Sequence, residues 1–270
     1  MLNTNYIINE LENKGFEGLT LVNVTKNGVT MKAICYRPNG SNLGTNAYID
    51  ECKNDRQAIA LCEKVFRLPQ PNVGNPLENF DKSKLCTRIF SKGKSGSDIV
   101  KPFLDLEICP YYTVLLDENN GEMGGIKMTS DICNYVGITK DDVIETAIKN
   151  SFTDCDVKHI VDVLKELVGV VPFDETSIPM YVITNRSKTG GAINIANTTA
   201  LAELADKLND DLWILPSSIH EIIAVPTCLG DPMILKEMVS DVNSTEVKAE
   251  DKLSDSVYRF YKDKKVVTIA

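Results

Sequence analysis

The chain is short of the residues that most catalysis and metal binding draw on. It has two histidines, His159 and His220, and a single tryptophan, Trp213, among 270 residues. Two histidines exclude a histidine-rich metal site, because a zinc centre needs three or more protein ligands at fixed spacing. No two of the eight cysteines lie closer than ten positions, so there is no C-x-x-C pair for zinc or redox chemistry. The cysteines sit among apolar residues, as Cys62 does beside Leu61 and Cys133 beside Ile132. They read as buried free thiols of a reducing cytoplasm. The N-x-S/T triplets, Asn197-Thr198-Thr199 among them, then have no glycosylation meaning. Glycine supplies no nucleotide motif: Ser95-Gly96-Ser97, Gly124-Gly125 and Gly190-Gly191 fit neither G-x-G-x-x-G nor the P-loop.

Other absences concern location and partners. Met1–Glu10 has neither a basic stretch nor a long apolar run, so no signal peptide is expected. No apolar run approaches the roughly 18 residues a membrane span requires. Positive charge is in deficit, with 29 Lys and Arg against 38 Asp and Glu and a net charge of −9. That balance disfavours nucleic acid, whose binding rests on neutralising phosphates with Lys and Arg. The densest basic group, Lys82, Lys84, Arg88, Lys92 and Lys94, reads as a solvated surface. A cytoplasmic protein with no cofactor, no bound metal, no membrane and no nucleic-acid partner is the expectation.

What is present is a regular alternation of turn signals and apolar runs. Tyr6, Ile7 and Leu11 mark a short amphipathic helix. Leu19–Thr25 and Val29–Tyr36 flank Asn27-Gly28, the dipeptide that accepts positive φ in a type I′ hairpin turn. Ala58, Cys62, Val65 and Phe66 recur at helical spacing. The segment from Pro69 to Pro76 reads as a linker, because its prolines and glycine oppose regular structure. A second hairpin is expected at Tyr111–Leu116 and Glu122–Met128. Thr139 to Asp142 resembles a capping box. Val157, Ile160, Val161, Leu164, Leu167 and Val168 form one apolar stripe ended by Gly169, with His159 off the stripe on its solvated side. Further hairpins are expected over 180–195, 212–225 and 256–269. Helices are expected at Leu201–Leu208 and after the N-cap pair Asp231-Pro232. This gives an α+β fold: an antiparallel or mixed sheet built from repeated hairpin-then-helix units, with helices packed on the sheet. The division expected is 1–70, a hairpin with helices, and 71–270, the main body, with 178–270 as its best-defined part. One compact unit is the alternative.

The densest chemistry is Ser217-Ser218-Ile219-His220-Glu221, between two strongly apolar runs. Successive strand residues face opposite ways, so Ile219, Glu221, Ile223 and Val225 share one side, and His220, Ile222 and Ala224 the other. Both sides are apolar, which predicts a strand buried on both faces with His220 and Glu221 where it meets solvent. One reading makes Ser218 a nucleophile, His220 its base, and Asp211 or Glu237 the orienting acid of a hydrolase. Glu221 is badly placed to orient its neighbour, and G-x-S-x-G is missing. The other reading has Ser217 and Ser218 satisfying turn backbone groups, with His220 and Glu221 hydrogen-bonded across the sheet end. Asp105-Leu106-Glu107 and Asp154-Cys155-Asp156 pair carboxylates, and the second pair reads as caps for the helix that follows. Asn185-Arg186 opens a turn, ending at Gly190-Gly191, that places cations beside flexible backbone. Asn185, Arg186 and Ser217 are therefore the candidate ligand-binding residues, with Ser218, His220 and Glu221 the candidate catalytic ones.

The motifs 180–186 (MYVITNR), Gly191-Ala192, 211–221 (DLWILPSSIHE) and 253–258 (LSDSVY) resemble those of a bacterial family of unknown function common in gut clostridia. Gly40–Leu43, Phe103–Leu106 and Gly137–Thr139 are also similar to it. The resemblance implies a cytoplasmic bacterial protein and brings no activity, cofactor or catalytic residue. The expected function is a non-enzymatic binding or regulatory module for an unknown protein or small-molecule partner, with the Ser218/His220 hydrolase as the alternative.

Overall fold

The structure, a computed structural model, describes residues 2–39, 44–68, 74–117, 122–169, 179–216 and 218–270. Among them the chain is α+β, with three antiparallel sheets. It divides into two compact units: 1–80 with 113–125, and 81–112 with 126–270.

In the first unit α1 (Thr4–Asn13) precedes β1 (Leu19–Lys26), β2 (Val29–Tyr36), β3 (Thr45–Tyr48) and α2 (Asp55–Phe66). The turn from β1 to β2 has Asn27 at φ 48° and Gly28 at φ 75°, the two positive values a type I′ turn requires. The three strands pair in sequence order. Ile7 and Leu11 of α1 and Ala58, Cys62 and Phe66 of α2 bury their stripes with Ile34 and Ala47 of the sheet. Phe16, Tyr36 and Phe66 close this core, with ring centroids 5.2 to 5.7 Å apart. The linker expected from Pro69 to Pro76 falls largely outside the described residues.

The second unit begins with β4 (Leu85–Ser91), β5 (Lys101–Phe103), β6 (Leu106–Asp117) and β7 (Glu122–Lys127). β6 pairs with the other three, and the division between the units falls within β6 and β7. Then come α3 (Ser130–Val136), α4 (Lys140–Thr153), β8 (Cys155–His159), α5 (Ile160–Val168), β9 (Tyr181–Asn185) and α6 (Thr198–Leu208). β10 (Leu212–Leu215), β11 (Ile222–Pro226), α7 (Pro232–Thr245), β12 (Tyr258–Tyr261) and β13 (Val266–Ile269) complete it. Six strands form one antiparallel sheet in the order β13-β12-β10-β11-β9-β8.

The central strands of that sheet, β10 and β11, are buried on both sides, as the double apolar alternation of 219–225 predicts for β11. Ile222 and Ala224 face a core with Ile183, Ile214, Phe260 and the α6 residues Leu201, Leu204 and Ala205. Trp213 and Val225 face the other way, onto Val239 of α7 and Val257. Trp213 also donates its indole N–H to the carbonyls of Thr227 and Gly230, which fixes the turn before α7. Thr139 and Asp231 cap α4 and α7 as their sequences predict.

Three local expectations are corrected. The stripe from Val157 to Val168 is not one helix: 155–159 extends as β8, because pairing with β9 outweighs a helical period over so few residues. Of that stripe only Val161 is buried, while Leu167 and Val168 are exposed. His159, expected on the solvated side, is only 5% exposed and caps α5, its Nδ1 accepting the Val161 N–H at 3.2 Å. Residues 192–195 are not a strand. Gly191–Ala196 is a buried 3₁₀ turn, held because the Asn194 amide donates to the Thr184 and Gly191 carbonyls.

The cysteines are all free thiols, but their burial is uneven. Burial pushes the Cys62 thiol up to about 12 and the Cys109 thiol up to about 11. Cys228, expected buried like the rest, is exposed beside Asp210, which accepts the Cys228 N–H.

Candidate functional site

The strand edge at 218–221 and the turn at 185–191 come together in the second unit. β9 and β11 are neighbours in the sheet, so the turn leaving β9 and the approach to β11 meet at the same end. Thr184 Oγ1 donates to the His220 carbonyl at 2.8 Å, and the Ala192 N–H donates to the Ile219 carbonyl. Gly191 sits where no other residue fits: an added Cβ would lie 2.4 Å from Thr184 Oγ1 and 2.7 Å from the His220 oxygen. This close approach is the reason for glycine there.

His220 is held from two directions. Its Nδ1 accepts the Gly190 N–H at 3.2 Å, so the ring proton sits on Nε2, which faces Asp251 Oδ1 at 3.3 Å. The acid beside His220 is thus Asp251, and neither Asp211 nor Glu237. Asp211 instead receives the Arg259 guanidinium and the Lys262 N–H. Asp251 lies in the stretch between α7 and β12, whose backbone also joins the junction: the Ile219 N–H donates to the Asp251 carbonyl, and Ser218 bridges Lys252. Nothing in the local sequence marks Asp251, because its partner is 31 residues away.

Ser218 is buried, and its Oγ accepts the His220 backbone N–H at 2.9 Å. That is a serine turn of the kind that satisfies local backbone, as the second sequence reading has it. Glu221 is half-buried and makes no hydrogen bond or ion pair among the described residues. Ser217 lies outside the described residues.

In the other loop, Asn185 accepts the Thr189 N–H and the Ser187 hydroxyl, and donates to the Thr189 carbonyl. Its amide therefore organises the turn from within. Arg186 points outward, 83% exposed at the side chain, with Asp154 at 3.5 Å. Lys188 meets Glu166, which also pairs with Lys158. The loop presents cations from a locked frame.

The paired carboxylates serve other ends. Asp105 accepts the Tyr258 and Ser256 hydroxyls, at 2.6 and 3.1 Å. Glu107, 7% exposed, accepts the Gly93 and Ser95 N–H groups at 2.8 and 2.7 Å. Burial alone would raise its carboxyl, but these hydrogen bonds hold it below its ordinary value. Asp154 pairs with Arg186 and Asp156 with Lys158, while the cap of α5 is His159. Among the described residues no group of His, Cys, Asp or Glu is arranged to hold a metal ion. No helix among them is long and apolar enough to cross a membrane.

The model of a family of unknown function (DUF5688) matches residues 96–262, more than half of the chain, and the chain belongs to that family. The match takes in the similar motifs from Phe103 onward and leaves out Gly40–Leu43. No curated protein and no solved structure matches the chain.

Proposed function

We propose that this member of the DUF5688 family is a non-enzymatic binding or regulatory module, which offers the Asn185–Gly191 loop and the 218–221 rim to a protein or small-molecule partner. The observation that carries this reading is the commitment of His220. A general base needs a free nitrogen lone pair directed at its nucleophile. Here that lone pair meets the Gly190 N–H, and the Ser218 hydroxyl oxygen meets the His220 N–H. The same bonds make the rim rigid, and a rigid frame that projects exposed Arg186 and Lys188 is suited to recognition. A cytoplasmic setting fits the buried, weakly acidic thiols of Cys62 and Cys109.

The hydrolase reading has one point in its favour, the His220–Asp251 pair, which has the form of a base and its orienting acid. Incubation with a fluorophosphonate probe, followed by mapping of the labelled residue, separates the two. The binding reading expects Ser218 unlabelled in folded protein and no turnover across ester, amide and phosphoester panels. Labelling at Ser218, with turnover that disappears in Ser218→Ala and in His220→Ala, would overturn it.

A further inference from the structure

The outermost strand of the large sheet, β8, is paired on one side. Among the described residues its single strand neighbour is β9, and the strand order ends there. The phase of the ladder tells which backbone groups are engaged. The Ile160 N–H donates to the Met180 carbonyl, and hydrogen-bonded pairs alternate along an antiparallel ladder. Lys158 and Asp156 therefore also bond to β9, opposite Val182 and Thr184. The backbone groups of Cys155 and Val157 point the other way, to the open edge. Among the described residues no backbone hydrogen bond outside the ladder takes them up.

Beside this edge the inner face of the sheet is incompletely covered. Val157 and His159 lie opposite Ile183 and Tyr181, so their side chains share the face that packs on α6. Val157 is nevertheless 39% exposed, because two clefts run between β8 and α6. The larger, about 660 Å³, is lined by Cys155, Ala200 and Glu203, and Ile148 and Phe152 of α4 give it an apolar floor. The smaller, about 350 Å³, is lined by Val157, His159 and again Ala200 and Glu203. Through these shared residues the two make one groove alongside the strand. The rim of the larger cleft has charges of both signs, Lys101 and Lys149 with Glu145 and Glu203, and so selects no charge. Its floor favours an apolar group.

We propose that this edge and its groove bind an extended peptide segment of a partner protein, which joins the six-stranded sheet as a further strand. Its backbone bonds to Cys155 and Val157, and alternate side chains turn toward α6. One apolar side chain fills the larger cleft against Ile148 and Phe152, and the residue two positions along lies in the smaller one beside Val157. An open strand edge asks for main-chain donors and acceptors at strand spacing, which is the chemistry of an extended polypeptide. A second copy of this chain fits the groove badly. Two β8 strands paired about Val157 would set His159 against the larger cleft, and His159 is already buried as the cap of α5. The surface differs from the 185–191 and 218–221 rim, so the proposal does not rest on that reading.

The test selects binders from a phage-displayed library of random peptides of about nine residues, long enough to span β8, with the full chain as bait. The selected peptides are then synthesised and measured by calorimetry and amide hydrogen exchange. The expected peptides have apolar residues at alternate positions and bind with a Kd on the order of 1–10 μM. They should slow exchange of the Cys155 and Val157 amides, and leave those of Asp156 and Lys158, already bonded to β9, unchanged. Val157→Pro removes an outward N–H and no ladder bond, which an edge strand tolerates. It should weaken binding roughly tenfold or more with little change in melting temperature. Thr199→Trp, at an exposed position lining the larger cleft, blocks that cleft without touching the strand and should weaken binding to a similar extent. A library that yields no peptide binding below about 100 μM would overturn the proposal, as would peptides that protect neither amide or ignore both variants. A dimer of the free chain in sedimentation, split by Val157→Pro, would also overturn it by assigning the edge to a second copy.

Discussion

The two histidines stand in opposite conditions. At the 218–221 junction both ring nitrogens of His220 have partners, one a backbone N–H and the other Asp251. At the start of α5 the imidazole of His159 gives one nitrogen to a helix cap and keeps the other unmatched. The junction is the denser in polar residues, and the more completely spent on holding two loops and a strand together. The α5 corner has a plainer sequence and a spare donor. Polar density along a chain therefore measures how much backbone needs satisfying as much as it measures chemistry.

The sharpest way to break this contrast is to spoil the junction's backbone. Gly191→Ala forces a methyl against Thr184 Oγ1 and the His220 carbonyl, and should cost about 3 kcal/mol. At roughly 2–4 °C per kcal/mol for a chain near this size, calorimetry would show a large fall in Tm. A variant as stable as the parent would mean that the junction is not close-packed.

Glu107 extends the comparison to a buried charge that is fully used. Glu107→Gln should cost about 2 kcal/mol at neutral pH, the scale for hydrogen bonds to a charged group. The folded carboxyl titrates below its ordinary value, so its contribution is complete above the usual carboxylate range and is lost as pH falls through the depressed value. Denaturant titrations should find the gap between parent and variant closing on acidification. A gap that stayed constant would show that the carboxylate's charge does not stabilise the fold.

The finest discrimination sets the histidines against each other. His220→Ala removes two side-chain bonds and should cost on the order of 2 kcal/mol. His159→Ala loses one helix cap, worth about 1 kcal/mol, and empties a buried ring's space, which costs on the order of 2 kcal/mol more, against the relief of one unsatisfied donor. His159→Asn keeps a cap acceptor and fills part of that space, so its melting temperature should lie above that of His159→Ala, and equal values would contradict the capping role.

Much of the fold was readable wherever one periodicity dominated. Asn27-Gly28 announces its hairpin because only a few dipeptides accept two positive φ values. The 219–225 alternation reveals a doubly buried strand because both of its faces are apolar. The corner at 155–168 misleads for a specific reason. Val157 and Ile160 happen to continue the spacing of α5, while the force that extends β8 is pairing with β9, more than 20 residues later. Likewise 192–195 alternates well enough for a strand, and it is the Asn194 side chain, bonded back to Thr184 and Gly191, that turns it instead. In the candidate site the serine turn and the Asn185 loop were legible because they are local. Asp251 was not, nor was the orphaned Nε2 of His159, since each depends on what tertiary packing brings near or withholds.

The strand order of the large sheet has a consequence for how the protein is made. Taken from β8 to β13, the order follows the chain with one exchange, β11 before β10. Three of the five pairings are therefore between strands that leave the ribosome in succession, and the central β10–β11 hairpin needs no partner that has yet to be synthesised. The sheet can be laid down progressively from the β8 edge, with β12 and β13 added last on the opposite flank. Short-range pairing of this kind lowers the loop-closure entropy that slows β-rich proteins. It also shortens the time for which the apolar central strands stand uncovered during synthesis.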